Sequence, residues 1–270
     1  MSESRAVYTL FSVSSTLKGV KILNIDTVFI IGGQRCGTTF LTELLRRRPG
    51  TLVLNNQGEP EPRTIMAEDY PNTISEYIHR LKYKSQIRKS NLVIEKSTSY
   101  YESLLALSRF EYGFKDSKFI MILRDPLERA ISNYFFSKKN GLETRAIGDA
   151  FCEPLLCQPV GLSVNPFDYI GRSQYHRHLA PWRNSNLKGN LLFILYDQLI
   201  DKPELILSTI FQFLGREKAT NYIDTDILSQ PINASSKPFG YEEAIRKIPD
   251  SALKKLVRER KKMELLFDND

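Results

Sequence analysis

The sequence predicts a single α/β domain with a mainly parallel central β-sheet flanked by helices. Short, apolar, β-branched runs alternate with stretches whose apolar residues recur at helical spacing, and this alternation is typical of βαβ units. The chain has 270 residues, of which 41% are hydrophobic, enough for one sizeable core. We find no internal repeat, low-complexity tract or interdomain linker. The expected domain therefore spans residues 1–270, with its core at 27–215.

Five apolar runs predict the strands. They are Thr27–Ile31, Thr51–Leu54, Asn91–Glu95, Lys118–Leu123 and Leu191–Tyr196. Strands that are separated by helices pair in parallel, so their carboxyl ends meet at one edge of the sheet. Ligands of such sheets bind at that edge, which is where we expect the functional residues.

Helical spacing of apolar residues predicts the helices Thr38–Arg48, Ile74–Ile87, Pro126–Lys138, Pro203–Leu214 and Leu253–Leu266. The stretch Asn140–Asp168 contains prolines and glycines and has weak periodicity. It is long for a connection, and long loops often act as lids, so we expect it to cover the acceptor site. We expect residues 216–270 to supply a last cofactor loop and terminal helices.

The net charge of +7 and the pI of about 9.2 suit an anionic ligand, although a solvated basic surface would give the same balance. The chain carries no RNA-binding aromatic signature and no zinc-finger spacing, so no nucleic-acid partner is expected. The three cysteines (Cys36, Cys152 and Cys157) form neither a disulfide framework nor, with the three histidines, a zinc-binding pattern.

The first 21 residues lack the pattern of a signal peptide, and no apolar run reaches the roughly 18 residues of a membrane helix. Together with the small, odd number of cysteines, this pattern predicts a soluble, cytoplasmic protein without a membrane partner.

The first predicted strand leads directly into a glycine loop and then a helix, an arrangement that binds phosphate through backbone N–H groups and the helix dipole. Gly32 and Gly37 have the G-x-x-x-x-G spacing of a nucleotide triphosphatase loop. Thr38 replaces the lysine that should follow, and Arg35 supplies a cation within the loop instead. The alternative is an ordinary βα turn with a surface arginine.

A second candidate anion site follows the fourth predicted strand. Arg124 stands at the carboxyl end of that strand. Arg129 and Ser132 are three residues apart and share a helix face, so a guanidinium and a hydroxyl can converge on one anion. The alternative is a helix with a surface ion pair and Asp125 as its cap.

Both segments resemble motifs of the PAPS-dependent sulfotransferases, which use 3′-phosphoadenylyl sulfate (PAPS) as donor. Gly33-Gln34-Arg35-Cys36-Gly37-Thr38-Thr39 resembles the 5′-phosphosulfate loop, and Arg124-Asp125-Pro126 with Arg129, Ser132 and Tyr134 resembles the 3′-phosphate motif. The resemblance implies a P-loop NTPase-like sulfotransferase fold. It implies that Arg35 contacts the bridging and leaving phosphate oxygens, that Gly37, Thr38 and Thr39 wrap the 5′-phosphate, and that Arg124 and Ser132 hold the 3′-phosphate.

The resemblance runs from about residue 27 to residue 215 and weakens afterwards. Cytosolic members carry a Lys-Gly-Arg-type signature in the last cofactor loop, whereas this chain has Asn233–Pro238 there. Lys237 is the candidate cofactor contact in this segment.

The resemblance also implies the catalytic groups. Thr98 stands where the cytosolic branch has a histidine base, so the chain is more similar to the heparan-type branch, whose base is a glutamate in a Lys-Glu-Pro-like string. Glu59-Pro60 matches that string best and makes Glu59 the expected base, with Glu61 as the second candidate. Gly58 replaces the family's lysine. The alternative for Glu59 is a solvated loop carboxylate.

Glu95-Lys96-Ser97 and Tyr100 resemble the heparan branch's Glu-Lys-Ser-x-x-Tyr string. Lys96 would then stabilise the sulfonate or the leaving phosphate, the alternative being a surface lysine at the end of a strand.

The predicted function is transfer of a sulfuryl group from PAPS to a hydroxyl or amine by in-line displacement, which releases 3′-phosphoadenosine 5′-phosphate (PAP) and needs no metal. A short chain without a predicted membrane anchor suits an acceptor that is a small specialised metabolite, such as a hydroxylated or cationic alkaloid or a glycolipid. Glu59, Glu61 and Glu68 would suit a cationic acceptor. The alternatives are a P-loop nucleotide kinase or other phosphotransferase, a heparan-like glycan sulfotransferase, and a protein that binds anions without catalysis.

Overall fold

A five-stranded, fully parallel sheet forms the centre of the protein in the computed structural model, which describes residues 25–54, 61–80, 89–153, 155, 165–216 and 240–267. The strands are β1 (Asp26–Gly32), β2 (Thr51–Leu54), β3 (Leu92–Lys96), β4 (Lys118–Leu123) and β5 (Leu191–Leu195). Their order across the sheet is β2-β3-β1-β4-β5, and every neighbouring pair is parallel. The predicted α/β class and parallel sheet are therefore confirmed.

The central strands are buried on both faces. Successive side chains point alternately to the two faces of the sheet, and an apolar layer covers each face. On β1, Phe29 packs in a cluster with the aromatic rings of one face, whereas Ile30 packs on the other face with residues of the first helix. Both side chains are fully buried. This two-sided burial explains why the strands are nearly continuous apolar runs in the sequence.

Helices cover both faces of the sheet. They are α1 (Thr38–Arg46), α2 (Ile74–Arg80), α3 (Leu104–Gly113), α4 (Pro126–Lys139), α5 (Ile147–Cys152), α6 (Tyr175–Arg183), α7 (Tyr196–Asp201), α8 (Pro203–Phe213), α9 (Tyr241–Lys247) and α10 (Asp250–Glu264). Four predicted helices agree within a few residues at each end. The fifth, predicted as Ile74–Ile87, is described only as far as Arg80, because 81–88 lie outside the described residues.

The stretch expected as a long loop, Asn140–Asp168, contains helix α5. Three residues of α5 (Ile147, Ala150 and Phe151) pack in a third apolar cluster with residues of α4, α9 and α10. The prediction of continuous loop was wrong here because a helix of six residues is too short to show periodicity. Residues 154 and 156–164 lie outside the described residues, and the lid remains a prediction.

Helix α4 begins immediately after the end of β4. The side chain of Asp125 accepts a hydrogen bond of 2.9 Å from the Glu128 N–H, and Pro126 occupies the first helical turn. These two features are typical helix starts, and they fix the direction in which α4 leaves the sheet.

No helix among the described residues combines the length and the apolar character needed to span a bilayer.

Candidate active site

The candidate residues gather at one edge of the sheet, because each follows the carboxyl end of a different parallel strand. Arg35 follows β1, Lys96 ends β3, Arg124 follows β4, and Glu61 lies in the connection that leaves β2. Tyr196 follows β5 and was not singled out from the sequence. This edge is the place at which open α/β sheets bind their ligands.

A backbone hydrogen bond ties the glycine loop after β1 to the neighbouring strand β4, and Gly37 of this loop begins helix α1. The N–H of Gly33 donates to the carbonyl of Ile122 at 2.9 Å, which ties the loop to β4. Gly37 caps α1 with φ of 82° and without a side-chain hydrogen bond. The N–H groups of the first turn of a helix have no partner within the helix, so this turn offers donors for an anion.

The side chains of the loop differ in exposure. Cys36 and Thr38 are buried, Gln34 and Arg35 are half-buried, and Thr39 is exposed. The thiol of Cys36 lies 3.5 Å from the hydroxyl of Tyr175, and burial raises its pKa. Cys36 therefore packs beneath the loop as a neutral side chain, and its backbone N–H donates to the Gly33 carbonyl at 3.2 Å.

The two candidate phosphate sites lie side by side. The Nε atom of Arg35 donates to the Ser132 hydroxyl at 3.3 Å, and Nη1 of Arg124 donates to the Arg35 carbonyl at 3.4 Å. Burial, and secondly the charge of Arg124, lower the pKa of Arg35. Two guanidinium groups that repel each other in a partly buried cleft favour an anion that neutralises both.

Arg124 is nearly fully buried, and its guanidinium lies 4.4 Å from the centre of the Tyr196 ring. Its Nη2 atom forms an ion pair with Glu128 at 3.2 Å, and its Nε atom donates to the same carboxylate at 3.3 Å. These hydrogen bonds are long for a charged pair. A phosphate oxygen at shorter distance would compete well with them.

Arg129 does not join Ser132 at an anion, in contrast to the expectation that the two side chains converge. Its Nε atom donates to the Ser173 hydroxyl at 2.6 Å, and its Nη2 atom donates to the Tyr169 carbonyl at 2.6 Å. The side chain is fully buried. Residues three apart on a helix do not point in quite the same direction. Arg129 of α4 points towards the protein interior, where its guanidinium binds the Ser173 hydroxyl and the Tyr169 carbonyl.

Glu61, the second candidate base, lies against two residues at the end of β3. Its carboxylate accepts hydrogen bonds from the Thr98 N–H at 3.1 Å and from the Thr98 hydroxyl at 2.7 Å. The Nζ atom of Lys96 lies 3.8 Å from the same carboxylate. A carboxylate thus approaches the residue at which the cytosolic branch would carry its histidine. Glu59, the first candidate, lies outside the described residues.

A buried carboxylate positions the segment that carries Glu61. The hydroxyls of Tyr77, Tyr100 and Ser97 all donate to Glu95, which is fully buried. The Ser97 hydroxyl in turn accepts the Arg63 N–H at 2.9 Å, and the Tyr100 hydroxyl accepts the Ile65 N–H at 2.9 Å. Burial raises the pKa of Glu95, even though these hydroxyls favour its charged form.

Two further residues of the site carried a weak sequence signal. Tyr196 ends the fifth apolar run and packs against the phosphate loop, since a Cβ atom at Gly37 would lie 3.1 Å from its ring. Tyr175 joins the loop to β4, because its hydroxyl contacts Cys36 and accepts the Arg124 N–H at 3.4 Å. A tyrosine at the carboxyl end of a predicted strand was the available clue to Tyr196. Lys237, the remaining candidate, lies outside the described residues.

Comparison with known proteins agrees with this arrangement. A family model described as "Sulfotransferase domain" matches residues 25–238. Heparan sulfate glucosamine 3-O-sulfotransferase 3B1 of Mus musculus is 28% identical over 208 residues, which are 76% of this chain and 50% of that protein. The bifunctional heparan sulfate N-deacetylase/N-sulfotransferase 2 of Homo sapiens is 24% identical over 205 residues, 73% of this chain and 22% of that protein. The chain thus spans half or less of the length of these relatives.

Among solved structures, a sulfotransferase from Alicyclobacillus acidocaldarius superposes with a TM-score of 0.59. It shares 17% sequence identity, and the match covers 83% of this chain and 94% of that one. At this sequence identity the superposition shows only that the folds are alike, and it confirms the predicted sulfotransferase fold. Because the family model matches most of the chain, including both candidate phosphate-binding segments, the protein belongs to the PAPS-dependent sulfotransferase family.

Proposed function

We propose that this protein transfers the sulfuryl group of PAPS to a hydroxyl of its acceptor, with Glu61 as the general base. The observation that carries the proposal is the contact of Glu61 with Thr98 and Lys96, at the same sheet edge as the paired arginines of the phosphate cleft. Sulfuryl transfer needs a base, a cation and an anion site. The carboxylate of Glu61 and the ammonium of Lys96 lie at the end of β3, and the two arginines of the anion site follow β1 and β4.

The residues present fit a nucleotide with two phosphate groups. The loop from Gly33 to Thr39 provides Arg35 and the first turn of α1, which has no side-chain cap, and the start of α4 provides Arg124 and Ser132. Burial, and secondly the charge of Arg124, lower the pKa of Arg35, so a bound anion would stabilise its charged form. We assign both phosphate roles accordingly and add Tyr196, whose ring lies beside Arg124.

When bound, PAPS supplies a sulfuryl group that is activated by its bond to a phosphate. Glu61 accepts the proton of the acceptor hydroxyl as the new oxygen–sulfur bond forms and the sulfur–phosphate oxygen bond breaks. Lys96 and Arg35 donate to the oxygens that gain negative charge, those of the sulfuryl group and of the leaving phosphate. Thr98 holds the Glu61 carboxylate in place through its hydroxyl and N–H. The electron pair of the broken bond would stay on the phosphate oxygen of the leaving PAP, whose negative charge Arg35 would balance.

The acceptor is proposed only as a molecule with a nucleophilic hydroxyl or amine. A small cationic metabolite in the cytoplasm remains our prediction, and only Glu61 and Glu68 of the three acidic residues behind it lie among the described residues. The names of the relatives favour a second candidate, a glucosamine-containing glycan. A turnover screen with PAPS against both classes separates them, since each product gains the 80 Da mass of SO₃, a value fixed by that formula.

Replacing Glu61 with Gln tests the proposed base. We expect turnover to fall at least a hundredfold while PAP affinity stays within twofold, because a base contributes to the chemical step and not to nucleotide binding. Glu59→Gln is the matched comparison. Loss of turnover in Glu59→Gln with normal Glu61→Gln would assign the base to Glu59 instead. Tight magnesium-dependent binding of ATP, with no binding of PAP, would replace the whole proposal with a phosphotransferase.

A further inference from the structure

We propose that Arg172 is a positioning residue that holds the phosphate loop at a fixed distance from the turn after β3. This inference rests on the proposed nucleotide site and deepens it. Arg172 does not reach the anion cleft through its own guanidinium. It acts through Gln34, the loop residue next to Arg35.

The guanidinium of Arg172 joins two segments that are far apart in the sequence. On one side, its Nη1 atom donates to the side-chain oxygen of Gln34. On the other side, its Nε atom donates to Glu102 at 2.8 Å, and its Nη2 atom lies 2.7 Å from the same carboxylate. Arg172 is 1% exposed, so the interaction is shielded from water. One buried side chain therefore bridges the loop after β1 and the turn after β3.

The backbone of Arg172 is also held firmly. The hydroxyl of Tyr101 donates to the Arg172 carbonyl at 2.7 Å, and the next residue, Ser173, receives the hydrogen bond from Arg129. The Tyr101 ring packs against Gly32, where a Cβ atom would lie only 2.4 Å away from it. The turn that carries Arg172 is thus fixed to β1, to α4 and to the segment after β3 at the same time.

Electrostatics strengthen the bridge. Burial alone would lower the pKa of Arg172, but the charge and hydrogen bond of Glu102, together with Tyr101 and Glu61, outweigh burial and raise it. The planar guanidinium bonds two partners in a fixed geometry, which a lysine ammonium cannot reproduce. The consequence is a defined spacing between the loop that carries Arg35 and the turn after β3 that carries Glu102.

The test compares two nucleotides in the full chain. PAP engages both phosphate sites, whereas adenosine 3′-phosphate lacks the group that the loop binds. We expect Arg172→Lys, which keeps the charge beside Glu102, to weaken PAP binding about tenfold, because coupled residues within one buried network interact at that level. Binding of adenosine 3′-phosphate, followed by ligand-observed NMR, should change by less than twofold. Gln34→Ala should give the same selective loss.

Arg183→Lys is the matched control, because Arg183 is an exposed arginine of α6, close in sequence to Arg172. Equal weakening of both nucleotides in Arg172→Lys would mean a general loss of structure and would overturn the proposal. Unchanged PAP binding in either Arg172→Lys or Gln34→Ala would overturn it too. A wild-type protein that binds neither nucleotide would instead refute the proposed function itself.

Discussion

The guanidinium of Arg35 donates to the hydroxyl of Ser132 across 3.3 Å, although 97 residues separate them in the sequence. This hydrogen bond joins the phosphate loop after β1 to helix α4 after β4. A nucleotide that carries phosphates at both of its ends would meet both groups in one cleft.

The contact between Arg35 and Ser132 predicts coupled effects on nucleotide binding. We expect Arg35→Ala to weaken PAP binding by about 2 kcal/mol and Ser132→Ala by about 1 kcal/mol, since hydrogen bonds to charged groups are worth this much. The double variant should lose less than the sum, because the two side chains contact each other. Isothermal titration calorimetry measures all three. Strict additivity would contradict a shared site, and Arg183→Ala controls for the loss of one positive charge.

The backbone conformation of Gly37 and its close approach to Tyr196 predict that a substitution at this residue weakens nucleotide binding. Alanine at this residue would be strained at φ of 82° and would press a Cβ atom against the Tyr196 ring at 3.1 Å. We expect Gly37→Ala to lower the free energy of unfolding by about 1 kcal/mol and to weaken PAP binding, because the first turn of α1 would shift.

Gly141→Ala is the control for this prediction. Gly141 has φ of 68° but open space around its Cβ position, so the variant carries the backbone strain without the crowding. It should lose similar stability in thermal unfolding and keep its PAP affinity. If both variants bind PAP normally, the approach of Gly37 to Tyr196 has no role in shaping the loop.

The hydrogen bond from the Thr98 hydroxyl to Glu61 predicts that a substitution of Thr98 lowers turnover without changing nucleotide affinity. Thr98→Val keeps the volume of the side chain and removes the hydroxyl that donates to Glu61 at 2.7 Å. We expect kcat to fall about tenfold, because the carboxylate loses one of its two orienting donors, while PAP affinity stays unchanged. Thr98→Ser should restore most of the turnover. A variant Thr98→Val with full kcat would show that Glu61 needs no orientation by this hydroxyl.

The raised pKa of Glu95 predicts that the stability of the folded protein depends on pH. Its pKa is raised by burial, so the folded protein holds this proton at pH values at which the unfolded chain has already released it. The contribution of Glu95 is therefore complete below the ordinary pKa of a glutamate and declines as the pH rises towards the raised value. Glu95→Gln should remove this decline, giving an unfolding temperature that changes less between about pH 5 and pH 7 than in the wild type.

An equally steep decline in Glu95→Gln would assign the effect to other groups. The same variant should also lower kcat, because its amide offers one acceptor oxygen to the three hydroxyls that fix the Glu61 segment. A variant with unaltered kcat would separate the buried network from catalysis.

The sheet and the phosphate loop were predictable because their signals are local. Five apolar runs gave the strands, and the spacing of Gly32 and Gly37 gave the loop. Helix α3 was missed because its exposed face carries Leu104, Leu105 and Tyr112, which hides the contrast between a polar and an apolar side.

The parts of the site that sequence reasoning missed depend on distant contacts. Nothing near Arg172 in the sequence indicates that it binds Gln34 and Glu102, which are 138 and 70 residues away. Arg129 shows the opposite error, because its spacing from Ser132 suggested a shared ligand, whereas its guanidinium binds Ser173 and the Tyr169 carbonyl instead. The choice between Glu59 and Glu61 depends on which carboxylate reaches Thr98, and spacing alone does not decide that.

Strand β2 is one of the two edge strands of the sheet that the described residues form, and its four residues pair with β3. It leads into the connection that carries both candidate bases, whereas the arginines of the phosphate cleft follow the interior strands β1 and β4. If either glutamate is the base, the acceptor side of the proposed site follows an edge strand, whereas the nucleotide side follows interior strands. Substitutions in the connection after β2 are then expected to change acceptor preference more than nucleotide affinity.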